Sequence, residues 1–335
     1  MNLYEQQEAN RHRTWLVLAV FVGFVLLLGA GFDAASLSAG GVFLPIGTLA
    51  ALLVGSGTAA YSYFRGDRAV LTSTKAVDIT SAMATSPDRI DLRQYRNVVD
   101  EMAIAAGLPV PAVYVVADPD PNAFATGRDP EHASIAVTEG LLGLLNREQL
   151  QGVIAHEMSH IRNNDIRLMT LVAALVGTVA LLADWTARGL RMSRGSRSSS
   201  RGDGKGKGGP ILLVFMVLWV LAMVLAPLVA RMLALFVSRT REFLADASAA
   251  ELTRNPGALA DALERIEAQG TPTVSMKMGS AHLCIADPLG RPANDRHGFW
   301  ANLMATHPPM QERIARLRGM GYRLPSEDQG PRTTD

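Results

Sequence analysis

The sequence predicts a mostly helical integral membrane protein that carries a small β-sheet. Three features lead there. Apolar residues are gathered into long charge-free runs instead of being spread along the 335 residues. A short β-branched stretch, "AVYVVAD" at 112–118, is bracketed by prolines. The stretch "VIAHEMSHIRNND" at 153–165 follows a helix start signal and places two histidines four positions apart.

Thr14 to Phe32 is free of charge for 19 residues, Ala34 to Phe64 for 31 and Gly208 to Ala230 for 23. At about 1.5 Å rise per residue, each is long enough to cross a hydrocarbon core of about 30 Å. Leu168 to Ala183 offers only 16 residues before Asp184, which fits a marginal span or a buried core helix. The first run follows Arg11 and Arg13 as a signal peptide would. It is longer than the usual apolar region of about 7 to 15 residues, and a second run follows at once, so an uncleaved anchor is expected.

Short-loop arginines and lysines set orientation. Arg11 and Arg13 precede the first run, only Asp33 lies between the first two, and Arg65, Arg68 and Lys75 follow the second. The amino terminus and the region 65–167 are therefore expected in the cytoplasm. The single cysteine, Cys284, fits a reducing side and excludes a disulfide within the chain. A net charge of +1 gives no case for nucleic acid. The one basic concentration, seven Lys or Arg between Arg188 and Lys207 against Asp203 alone, is rich in Gly and Ser and reads as a flexible linker. Whether the segments flanking it span fully, and so which side it faces, stays open.

Two strands are expected, at 112–118 and at "ASIAVT", 133–138, with an edge or loop strand near Asn122 to Ala125 between them. Asn146 followed by Gln149 is a variant of the capping-box signature, and Leu150, Val153, Ile154 and Ile161 mark one apolar helical face behind it. His156 and His160 therefore share a face, able to offer ring nitrogens to one tetrahedral zinc, with Glu157 beside a water that the metal would acidify. Chance produces this pattern in fewer than about one chain in a hundred.

A third ligand is needed. Glu242, in "SRTREFLADASAAEL", is the best candidate, with Asp246 four residues on to orient a histidine. Alternatively both carboxylates pair with Arg239 or Arg241 on a solvated face. If the helices continue from the third and fourth apolar segments, the ligands stand about 12 Å and about 18 Å beyond the segment ends, on one side of the membrane. His12, His132, His282 and His297 match no ligand spacing.

"NAFATGR", "HEMSH", "SRTREFLADASA" and "THPPMQERIARL", in that order around paired hydrophobic segments, resemble the HtpX family of membrane-embedded zinc metalloproteases, related more distantly to the CAAX prenyl proteases. The similarity runs from about Leu71 to Leu317. It implies a gluzincin-like zinc metalloendopeptidase with a cytoplasmic active site, one Zn2+ per chain and polypeptide substrates, acting on damaged or misfolded membrane proteins in the bilayer. Carried onto this chain, the zinc ligands fall on His156, His160 and Glu242 and the acid/base on Glu157. Asn122, Ala123 and Phe124 resemble the edge strand that receives substrate, against a structural turn after Pro121; His307 would stabilise the oxyanion or merely start a helix ahead of Pro308. The implied division is a membrane anchor at 1–64, a first catalytic part at 65–167, a hydrophobic hairpin at 168–230 with the basic loop 188–209, a second catalytic part at 231–321 and a polar tail at 322–335. A dedicated processing protease, or a membrane scaffold with structural zinc, are the rivals.

Overall fold

The computed structural model describes residues 3–38, 44–178, 239–269, 283–286 and 308–321. The expectations for the basic loop, for 210–230, for the tail and for His307 lie outside these residues.

Leu, Val and Ala dominate α1 (Leu3–Ser38), and with no proline to interrupt it the helix continues for 36 residues. Within it Glu8–Gly31 is the one described helical stretch long and apolar enough to cross a membrane, with a mean hydropathy of 2.3. α2 (Ile46–Ser73) starts just after Pro45 and returns along α1. Asp33 caps its start, accepting from the Gly47 and Thr48 amides at 2.8 Å each and from Thr48 Oγ1 at 2.6 Å. Gly29 permits the close approach, since a Cβ there would lie 2.5 Å from the Gly47 carbonyl oxygen.

The next segments build a four-stranded mixed sheet in the order β1-β2-β4-β3. β1 (Val77–Asp78) runs antiparallel to β2 (Ala112–Val116), β2 runs parallel to β4 (Ala133–Thr138), and β3 (Ala123–Gly127) is the antiparallel outer strand. Both predicted strands are present, and the edge strand begins at Ala123. The two-residue β1 was not expected; it is too short to show a period. α3 (Ile79–Thr85), α4 (Ile90–Ala106) and α5 (Glu139–Leu144) complete this half.

α6 (Arg147–Arg162) opens with the predicted capping box: Asn146 accepts from the Gln149 amide at 2.9 Å and Gln149 Oε1 accepts from the Asn146 amide at 3.1 Å. It is buried on every side, not on one apolar face, because the sheet, α4, α8 (Arg239–Thr253) and α9 (Pro256–Gln269) surround it. Gly152 makes room for α9, where a Cβ would stand 3.0 Å from Leu259 Cα. The expectation of a continuous helix from His160 into the third apolar segment is corrected. Asn163 and Asn164 form a turn, with Asn164 at φ +57°, and a new helix α7 runs over 165–178. Asparagine tolerates that left-handed conformation better than most residues. α7 then packs Leu168, Leu171, Val172 and Leu175 against Val17 and Phe21 of α1 and Ala59 of α2. α10 (Met310–Gly321) closes the catalytic side against α9 and α8.

Candidate metal centre

Three buried side chains, His156, His160 and Glu242, all on elements just described, converge where a metal could be held. His156 and His160 leave α6 one turn apart with their Nε2 atoms 3.2 Å from each other. Glu242, in the first turn of α8, brings Oε2 to 3.8 Å from His156 Nε2 and Oε1 to 3.7 Å from His160 Nε2. The two Nε2 atoms thus stand 3.2 Å apart, and each has one oxygen of the Glu242 carboxylate at 3.7 to 3.8 Å. Tetrahedral zinc with bonds of about 2.0–2.1 Å separates its ligands by roughly 3.4 Å, so this donor set fits the ion.

The other ring nitrogens are committed. His156 Nδ1 lies 2.9 Å from Asp246 Oδ1 and His160 Nδ1 lies 3.2 Å from Asp165 Oδ2. A carboxylate on Nδ1 keeps the proton there and turns the Nε2 lone pair to the metal. With Nδ1 so engaged, each ring, once it has lost its second proton, can offer its Nε2 lone pair to a cation.

Arg313 of α10 holds the Asp246 side. Its Nε and Nη2 donate to the two Asp246 oxygens at 2.9 and 2.7 Å, while Nη1 donates to the Ile285 carbonyl at 2.9 Å. It is fully buried. Burial alone would raise the Asp246 carboxyl, but the Arg313 charge and hydrogen bonds overcome it and hold it at about 2. For His160, burial pulls down while Asp165 and the Glu242 charge pull up more strongly, to about 9 in the metal-free site. His156 moves the other way, since burial and the Arg313 charge outweigh Asp246.

Glu157 stands apart. It is 1 % exposed and neither carboxylate oxygen has a hydrogen-bond partner among the described residues. Burial lifts it to about 7, opposed by the His160 charge and aided by that of Glu242. The backbone of Ala125 on β3 faces it and weakly favours its charged form. A carboxylate near neutrality beside an open ligand position is what a general base needs.

The alternative in which Glu242 and Asp246 decorate a solvated face fails, since both are about 2 % exposed and Arg241 turns toward Asp165 at 3.5 Å. Asn122, Ala123 and Phe124 are buried, and their outer edge is lined by Cys284–Ala286. Ile285 N donates to Ala123 O at 3.0 Å, Asn122 Nδ2 donates to Ala286 O at 3.1 Å, and Phe124 bridges Cys284. His132 engages Asp129 and Arg128 through its two ring nitrogens at the surface. Sequence reasoning passed over Asp165 and Arg313. Both stood inside quoted stretches, but each is joined to its histidine by a turn or by tertiary packing that spacing does not encode.

Residues 91–321 match Peptidase family M48. The chain belongs to that family. Peptidases of family M48 are zinc-dependent metalloproteases, and polypeptides are their substrates. Among M48 relatives, the protease HtpX homolog of Ligilactobacillus salivarius is 38 % identical over 318 residues, 95 % of this chain and 100 % of that one. The protease HtpX homolog of Tropheryma whipplei strain Twist is 40 % identical over 323 residues, 95 % and 99 % of the two chains. The crystal structure of S. mikatae Ste24p is similar with a TM-score of 0.44 at 17 % identity, covering 94 % of this chain and 67 % of that one.

Proposed function

We propose that this M48 chain is a multi-pass membrane zinc endopeptidase in which His156, His160 and Glu242 hold the metal, Glu157 moves the protons, and the active site faces the cytoplasm to degrade damaged or misfolded membrane proteins. The observation that carries the reading is the triangle of His156 Nε2, His160 Nε2 and Glu242 Oε with the unbonded Glu157 carboxylate beside it.

Zinc, when bound, supplies Lewis acidity for the scissile carbonyl and the attacking water. Glu157 accepts the proton of that water and returns it to the leaving amine nitrogen, so one carboxylate serves as base and then acid. Asp246 and Asp165 fix the two imidazole rings, and Arg313 keeps Asp246 ionised. Substrate adds as a strand along Asn122–Phe124, which requires Cys284–Ala286 to leave that edge. His307 stabilises the oxyanion, a role resting on the family motif alone.

Support for the multi-pass reading comes from the α1–α2 hairpin, whose Leu49, Leu53, Val54 and Phe64 are exposed and whose Arg65 and Arg68 follow the apolar run at once. α7 joins that hairpin directly below the metal helix. The division into anchor, two catalytic parts and intervening hairpin at 168–230 is proposed from the apolar runs of the sequence.

Zinc content and peptidase rate of the detergent-purified chain and its Glu157→Gln variant test the reading. The variant is expected to keep one zinc per chain and lose several orders of magnitude in rate. Cleavage at near the parental rate overturns the mechanism; many cleavage sites across a substrate panel favour quality control, and a single site the processing protease.

A further inference from the structure

Asp165 is completely buried and divides its two oxygens between a neighbour five residues back and a side chain near the amino terminus. Oδ2 faces His160 Nδ1 at 3.2 Å, and Oδ1 accepts from Asn10 Nδ2 at 2.6 Å. Asn10 belongs to α1, the candidate membrane span, and is itself buried. The same amide nitrogen reaches the Asn163 carbonyl at 3.3 Å, so it clasps the turn that carries Asp165 as well as the carboxylate. Its own Oδ1 has no hydrogen-bond partner among the described residues. A side chain that uses its donor twice and leaves its acceptor unused is placed there for the donor. Arg241 Nε also lies 3.5 Å from Oδ1.

We propose that Asn10 is a positioning residue of the metal centre, through which the amino-terminal membrane helix sets the Asp165 carboxylate that orients His160. The inference rests on His160 being a zinc ligand. By holding Oδ1 on the side of Arg241, Asn10 fixes the carboxylate's rotation and keeps Oδ2 for the imidazole N–H. Outer partners of metal-bound histidines typically govern affinity by 10- to 100-fold; one step further out, about tenfold is expected. α1 is then a part of the enzyme's chemistry as well as its anchor, and a chain relieved of α1 would hold zinc poorly.

The test is zinc affinity of the full-length detergent-solubilised chain, by competition with a chromophoric chelator, together with the visible spectrum of the Co2+-substituted protein. Asn10→Ala should weaken zinc about tenfold and shift the Co2+ bands. Asn10→Leu, which keeps the side-chain volume while removing the donor, should do the same if the alanine variant folds poorly. Asp165→Asn should weaken zinc on its own and leave little further effect for Asn10→Leu to add. Val17→Ala, one turn pair along the same buried face of α1 without polar contacts, should lower thermal stability and leave zinc and the Co2+ spectrum unchanged. Zinc affinity within twofold of the parent in Asn10→Leu, or an equal loss in Val17→Ala, overturns the proposal. Zinc retained at parental affinity by His160→Ala overturns the ligand reading on which it stands.

Discussion

The Glu157→Gln substitution has a second consequence, separable from lost activity: in the metal-free chain it should remove most of one pH-dependent cost to folding. Glu157 is buried with both oxygens unbonded among the described residues, and it holds its proton to about pH 7 against an ordinary value of 4.5. Between those values the unfolded chain has released this proton and the folded chain retains it. The folded state thus binds more protons, and stability falls as pH rises through the window. The stabilisation is fully present below pH 4.5 and lost by pH 7 and above. Raising the group from 4.5 to about 7 is worth about 3 kcal/mol. For 335 residues at about 2.1 cal/mol/K each, that corresponds to roughly 1–2 °C of melting temperature per kcal/mol.

Other groups titrate nearby, and up to pH 7 the comparison removes them, since the Glu157 charge that helps to raise His160 develops only above that pH. His160, lifted to about 9, contributes stability that is present below its usual 6.5 and lost as pH rises through 9. Asp246, held at about 2, contributes stability present above 3.8 and lost as pH falls through 2. Both remain in the variant. A buried Gln amide carries its own cost of about 1–3 kcal/mol, but that cost does not change with pH. The slope of the difference is therefore the measurement. Thermal melts of parent and Gln variant, stripped of metal in detergent and run from pH 4.5 to 8, should diverge progressively in favour of the variant up to pH 7. Parallel curves across that window would refute the claim that Glu157 is a desolvated acid.

Two further outcomes follow from the same geometry. Glu242→Gln should abolish both zinc binding and peptidase activity, whereas Asp246→Asn should weaken zinc or rate by about 10- to 100-fold and leave the site recognisable; zinc stoichiometry and rate for the pair check this, and an unaltered Glu242→Gln protein refutes the ligand set. Cysteines placed at the exposed Glu131 and Ala268, with Cys284 replaced, should both react only from the cytoplasmic side. Labelling from opposite faces would contradict a single catalytic face.

The catalytic helix was legible because its signals are local. Asn146 and Gln149 specify its start, and the four-residue spacing of His156 and His160 puts them on one face whatever surrounds them. β4 was legible for the same reason, as six residues of alternating small and β-branched side chains. Glu242 could be nominated but not fixed, since α8 reaches α6 only through tertiary packing. The failure at the end of α6 is instructive. Helical periodicity carries no warning of a break at Asn163 and Asn164, and extending the helix by rise per residue hid the one consequence that matters, the return of Asp165 onto His160.

The two histidines are thus supported by different physical routes. His160 depends on a five-residue separation made useful by one left-handed asparagine and by an amide from α1. His156 depends on Asp246 from α8, which is itself held by Arg313 from α10 and tied through that guanidinium to the Ile285 carbonyl beside β3. Loosening α1 should therefore act on the metal through His160, while movement of Cys284–Ala286 off the β3 edge should act through Arg313 on His156. On the proposed reading, substrate entry along that edge would be coupled to metal retention on one side of the centre, and membrane anchoring to metal retention on the other.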